Sequence, residues 1–151
     1  MTTRVETLDD LASFVGKELG TSSWIEVDQD RINGFADATD DHQWIHVDVD
    51  RAKDGPFGQT IAHGYLTLSL LIPMWTSILE VRDVHTIVNY GLNKVRFPSP
   101  VPSGSRIRAQ ATLVGLEAIP GGAQLTVDIL VERQGNNKPA CVAQLVFRYL
   151  N

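Results

Sequence analysis

The sequence predicts an α+β fold in which one long apolar helix is followed by a run of antiparallel strands, and three observations predict it. Gly64 to Leu79 holds no charged residue, with His63 before it and Glu80 after it. After Val84 the apolar residues stop recurring at helical spacing and begin to alternate, as they do in half-buried strands. The alternation then persists to the C-terminus, so helices and strands are segregated along the chain rather than interleaved.

Taken in order, the N-terminal segment Met1–Gly20 reads as a short helix. Thr7 and Asp10 have capping-box spacing, and Leu8, Leu11, Phe14 and Val15 follow at helical intervals. Ser23–Val27 reads as a brief strand. Asp28 then caps a helix with Ile32, Phe35 and Ala36 on its apolar face, which runs into the polar cluster Thr39-Asp40-Asp41-His42. A further helical turn is expected at Val49–Lys53, closed by Gly55-Pro56-Phe57-Gly58. The long helix starts near His63. Because a surface helix would carry a polar stripe, its apolar composition all round implies that a sheet wraps it.

His85–Tyr90 and Leu92–Phe97 read as strands separated by Gly91 and ended by the proline-rich turn Pro98–Pro102. Ile107, Ala109, Ala111 and Leu113 alternate with polar residues, as do Leu125, Val127, Ile129 and Val131, with Gly121-Gly122 as the turn between. Gly135–Lys138 turns into a last strand whose inner face is Cys141, Ala143, Leu145, Phe147 and Tyr149. One domain over residues 1–151 is expected, with a sheet edge left to meet a partner subunit.

Composition narrows the function. A chain of 151 residues, 43% hydrophobic and 21% charged, can bury a core without disulfides. A net charge of -5 disfavours nucleic acid as a partner, because gripping phosphates needs clustered Lys and Arg. Cys141 is the only cysteine, which excludes an intrachain disulfide and points to the reducing cytoplasm. No membrane insertion is expected. The uncharged stretch from Gly64 is short of the roughly twenty apolar residues that span a bilayer and contains Pro73, while acidic Glu6, Asp9 and Asp10 do not suit a signal peptide.

The densest chemical cluster is Asp40-Asp41-His42-Gln43-Trp44-Ile45-His46, with His63-Gly64 at the head of the long helix. A carboxylate and an imidazole converging on one water can orient it and take its proton, which suits hydration or dehydration. The same string also fits a turn capped by Asp41 beside a half-buried His46, and residue types do not separate the two. Gly64 is open in the same way. Its N–H at a helix start is a ready donor to an oxyanion, yet glycine there also permits close helix packing.

Other chemistries find less support. His42 and His46 are four apart, but Trp44-Ile45 and the acidic surroundings do not resemble a zinc-binding helix, so no metal is expected. A calcium loop starting at Asp50 would need Glu where Ile61 stands. No nucleophile elbow or phosphate-binding glycine loop is present, and Cys141 lies mid-strand.

Asp41-His42-Gln43-Trp44-Ile45-His46, then Ile61-Ala62-His63-Gly64-Tyr65-Leu66, then Leu92 to Val101 before Gly104-Ser105, resemble in order the motifs of MaoC-like (R)-specific enoyl-CoA hydratases, over about Val27 to Arg108. The resemblance implies a hot dog fold, usually assembled as a homodimer or as two such domains in tandem, and a trans-2-enoyl-CoA substrate hydrated to an (R)-3-hydroxyacyl-CoA without a cofactor. It implies Asp41 and His46 as the catalytic pair and the Gly64 N–H as oxyanion donor. Gln43, Trp44, His63 and Ser69 would support them or line the pocket. The family often has Asn-Pro where Gln43-Trp44 stand here, so Trp44 is expected to reshape the acyl pocket. Lys94, Arg96, Arg106 and Arg108 are available to CoA phosphates, and each fits an exposed strand residue equally well. A hot dog thioesterase would need a carboxylate on or near the central helix, and Gly64–Leu79 has none; a noncatalytic partner subunit would not need the Asp41/His46 pair.

Overall fold

The computed structural model describes residues 2–151; Met1, counted above in the N-terminal segment, lies outside them. The long helix, α4, spans Gly64–Ile78 and packs against an antiparallel sheet. Short elements precede it: strands β1 (Thr3–Val5), β2 (Glu18–Thr21) and β3 (Ile25–Val27), and helices α1 (Gln29–Thr39), α2 (Trp44–Val47) and α3 (Val49–Ala52). Strands β4 (Leu79–Val81), β5 (Thr86–Arg96), β6 (Ser105–Ile119), β7 (Gly122–Arg133) and β8 (Cys141–Leu150) follow it. The main sheet runs β2-β6-β7-β8-β5, with β3 also paired to β6. This is the α+β architecture expected.

The alternation in β6, β7 and β8 has the predicted result. Ile107, Ala109, Ala111 and Leu113 are buried, as are Leu125, Val127, Ile129 and Val131, and so are Cys141, Ala143, Leu145, Phe147 and Tyr149. This face receives Leu66, Leu70, Leu71, Met74, Trp75 and Ile78 of α4. Trp75 locks the two layers together, stacking on Phe147 at a centroid distance of 5.4 Å and donating its indole N–H to the Tyr149 hydroxyl at 2.8 Å. Burial raises the Tyr149 pKa strongly, which keeps that hydroxyl neutral.

Several boundaries differ from the sequence reading. The N-terminal segment is not one helix: β1 pairs in parallel with β4, and only Leu8–Phe14 forms a 3₁₀ turn, begun by the Thr7 N–H donating to Asp10 at 2.9 Å. Val15 falls beyond that turn and is exposed, because the tighter helix carries its side chain off the Leu8/Leu11 face. His85–Tyr90 and Leu92–Phe97 join in one strand, β5; Gly91 marks a register shift against β8 rather than a break. The Val49–Lys53 turn ends one residue earlier as α3, and α2 was not expected.

The helix α4 is not enclosed all round. Tyr65, Ser69, Pro73, Thr76 and Ser77 form an exposed stripe, so this chain's own sheet covers only the opposite side. Pro73 stands on this exposed stripe one turn after the exposed Ser69, whose carbonyl its missing N–H cannot bond. Strand β5, at the sheet edge, is also exposed along nearly its whole length, including Ile87, Val88, Tyr90 and Leu92. No helix among the described residues is long and apolar enough to cross a membrane.

Candidate active site

Asp28 starts α1 by accepting the Arg31 N–H at 2.8 Å, and Asp40 ends it in the left-handed conformation at φ 59°. Asp41 therefore leaves the helix at a sharp corner. The single turn α2 then carries His46 inward, to 6% exposure, while Asp41 stays at the surface. His63, the residue capping α4, arrives from the other side and is 3% exposed. One ligating atom from each of Asp41, His46 and His63 lies within 4.8 Å of the others.

Backbone hydrogen bonds fix this meeting point. Ile61 donates its N–H to the Ile45 carbonyl at 3.0 Å, Ala62 to Val101 at 2.8 Å, and Ser103 to Thr60 at 2.9 Å, stitching residues 60–62 between α2 and the turn before β6. His46 Nδ1 lies 2.7 Å from the Ile61 carbonyl. A carbonyl only accepts, so Nδ1 carries the proton and Nε2 is left as a base. By the same argument His63 Nε2, 2.9 Å from the Asp41 main-chain carbonyl, carries the proton of that ring, and its Nδ1 is buried with no partner among the described residues. The two imidazoles stack at a centroid distance of 3.8 Å with 22° between their planes. Burial, aided by the neighbouring His63, holds the His46 pKa below its usual 6.5, against the opposing pull of the Ile61 carbonyl and the Asp41 carboxylate.

Three such donors invite comparison with a metal site. Both rings have one nitrogen tied to a carbonyl, as metal-bound histidines do. Their stacking, however, places the in-plane lone pairs in two nearly parallel planes rather than on converging lines. That arrangement suits hydrogen bonding to a small polar molecule better than tetrahedral coordination. His42, four residues before His46, is turned outward and pairs with Asp37 at 3.0 Å, which raises its pKa.

Gly64 follows His63 directly and opens α4, where the first N–H groups have no carbonyl one turn back to bond. It lies on the wall of a cavity of about 350 Å³ with Phe57, Ile61, Thr67, Phe97 and Val101. A Cβ at Gly64 would stand 3.1 Å from the Phe97 ring, so the absence of a side chain keeps the helix start open. Ser69 is placed elsewhere. Its hydroxyl donates to the Tyr65 carbonyl at 2.7 Å, and it lines a second cavity with Leu68, Ile72, Leu92 and Phe147.

Gln43 is exposed and reaches the site only through its N–H, 3.4 Å from the Asp41 carboxylate. Trp44 packs away from both cavities, its ring beneath the Arg51 guanidinium at 4.3 Å and against Gly55. Of the four basic residues considered for phosphates, Arg108 is engaged with Glu132 and lies over Trp24. One residue was missed altogether. Gln29 donates to the His46 carbonyl at 2.8 Å and accepts from the buried Thr60 hydroxyl at 2.6 Å, tying α1 to the site. Its place in the first turn of α1 gave no sign of this, since the partners lie 17 and 31 residues away.

A long helix held by an antiparallel sheet, with an acid and two imidazoles at its N-terminus, defines a hot dog protein. Residues 10–134 match the family described as MaoC like domain, and the chain belongs to that family. It is 53% identical to 3-hydroxyacyl-thioester dehydratase Z of Mycobacterium tuberculosis over 146 residues, 96% of this chain and 97% of that protein. It is 47% identical to nodulation protein N of Rhizobium leguminosarum bv. viciae, over 92% of this chain and 88% of that one. The fold matches the unliganded R-hydratase PhaJ1 of Pseudomonas aeruginosa with a TM-score of 0.73 at 20% identity, covering 91% of this chain and 82% of that one.

Proposed function

We propose that this chain is a single-domain hydro-lyase that adds water to a trans-2-enoyl-CoA to give an (R)-3-hydroxyacyl-CoA, and catalyses the reverse dehydration. The observation that carries the reading is the tautomer of His46, whose Nδ1–H is committed to Ile61 and whose Nε2 is thereby left as an acceptor, on a ring that has a nitrogen within 4.8 Å of an Asp41 carboxylate oxygen. A water held between the two loses a proton as its oxygen bonds to Cβ of the enoyl thioester. Electrons move onto the thioester oxygen, which the Gly64 N–H at the positive end of α4 stabilises, and a proton returned to Cα completes the addition. Water supplies both new substituents, so no cofactor is needed. The dehydratase name of the 53% identical relative supports the same chemistry.

The exposed, apolar edge strand β5 supports a homodimer, because a long unpaired edge of this kind is ordinarily covered. A reducing cytoplasm suits the buried thiol of Cys141, whose pKa burial pushes up to about 11. The test of the reaction is loss of enoyl absorbance from a short trans-2-enoyl-CoA, with free thiol and product stereochemistry followed in parallel. Absorbance lost with formation of the (R)-alcohol and no thiol is the expected result. Thiol release without hydration would move the chain to thioester hydrolysis.

A further inference from the structure

We propose that His63 is a positioning residue that sets the spacing between the Asp41 carboxylate and the His46 ring by binding the Asp41 main chain to the start of α4. The inference rests on the hydratase reading of the site and adds a residue to it. One residue joins the Asp41 loop, the His46 ring and the start of α4. Its Nε2–H donates to the Asp41 carbonyl at 2.9 Å, its ring lies on that of His46 at 3.8 Å, and its own carbonyl accepts the Leu66 and Thr67 N–H groups that begin α4. The next N–H along the chain is that of Gly64.

The need for such a tie is visible in the surroundings. Asp41 follows a left-handed corner on an exposed loop, and its carboxylate has only the Gln43 N–H at 3.4 Å to orient it. His46 is held independently, through Ile61 and Gln29. The loop is tied to α1 by His42 on Asp37 at 3.0 Å and to α2 by the His46 N–H on the Gln43 carbonyl at 3.0 Å, and the bond from His63 is what joins the main chain of Asp41 itself to the start of α4. His63 is itself held in place by Phe35, whose ring lies 4.8 Å away, so its bond reaches the loop from a packed support. Its unpartnered, buried Nδ1 is the acceptor this arrangement leaves facing no protein donor, which argues that the ring is kept for what its Nε2–H and its face do.

His63→Phe keeps a ring in contact with His46 and Phe35 but removes the donor, whereas His63→Gln keeps an N–H donor of similar reach. A displaced carboxylate should lower kcat on the order of ten- to a hundredfold in His63→Phe, with KM within about threefold. His63→Gln should recover most of that loss. In parallel, amide hydrogen exchange over residues 40–46 should quicken in His63→Phe and return toward wild type in His63→Gln. If kcat and exchange are unchanged in His63→Phe, or if His63→Gln loses as much as His63→Phe in both, the positioning role is wrong. Should the wild type hydrate nothing, the hydratase reading fails by itself, and the exchange comparison still decides whether His63 holds the Asp41 loop.

Discussion

His46 Nδ1 and the main-chain oxygen of Ile61 stand 2.7 Å apart, and this one bond settles which imidazole nitrogen is free to act as a base. Nδ1 keeps its proton, and this bond, in either charge state, whereas Nε2 can accept a proton only while the ring is neutral, and burial favours that state by lowering the pKa below 6.5. The rate should therefore hold as pH falls through 6.5, with the acid limb of the kcat/KM profile below that value. A limb at or above 6.5 would show that a different group is the base.

The same depressed pKa makes a prediction about stability. The unfolded chain takes up a proton on this histidine near 6.5 while the folded protein does not, so the contribution is fully present above 6.5 and is lost as pH falls toward the folded pKa. The urea midpoint should decline over that window. In His46→Gln the decline should be smaller, and an identical slope would assign it to other groups.

Gly64→Ala places a methyl group 3.1 Å from the Phe97 ring, which is exposed enough to give way. Better helix propensity offsets that displacement, so stability should change by less than about 1 kcal/mol. The opening at the proposed oxyanion donor narrows, and kcat should fall roughly tenfold or more. Steady-state kinetics beside a thermal melt separates the two effects.

A Cβ at Gly122 would collide with the Tyr149 carbonyl oxygen, across the β7–β8 pairing. No rotamer relieves a clash with main chain. Gly122→Ala should cost about 3 kcal/mol or more and lower the melting temperature markedly. A wild-type melting temperature would mean that the hairpin can shift its register freely.

The open edge of β5 predicts association. Sedimentation equilibrium should give a dimer, and Val88→Lys, which puts a charge on that strand, should shift it toward monomer. An unaffected dimer would place the interface elsewhere.

Much of this arrangement was legible in the residues. The charge-free run gave α4, and period-two alternation gave β6, β7 and β8 with the correct inner faces, because burial on one side leaves its mark at every second position. Grouping Asp41, His46 and His63 followed from their motifs. What escaped depends on contacts distant in sequence. Strands β1 and β4, three residues each, exist because they pair with each other, and Gln29 reaches His46 through a fold no local pattern encodes. The exposed stripe of α4 was hidden for another reason: Ser69, Thr76 and Ser77 are polar but uncharged, so a run read by its lack of charge conceals the face they share with Tyr65, which is 71% exposed.

The most direct measurement is kcat for a short trans-2-enoyl-CoA in Asp41→Asn and in His46→Gln beside the wild type, each variant first shown to be folded. The wild type should give the (R)-alcohol, with a loss on the order of 10²- to 10⁴-fold in each variant. Hydration at near wild-type rates by either folded variant would contradict it.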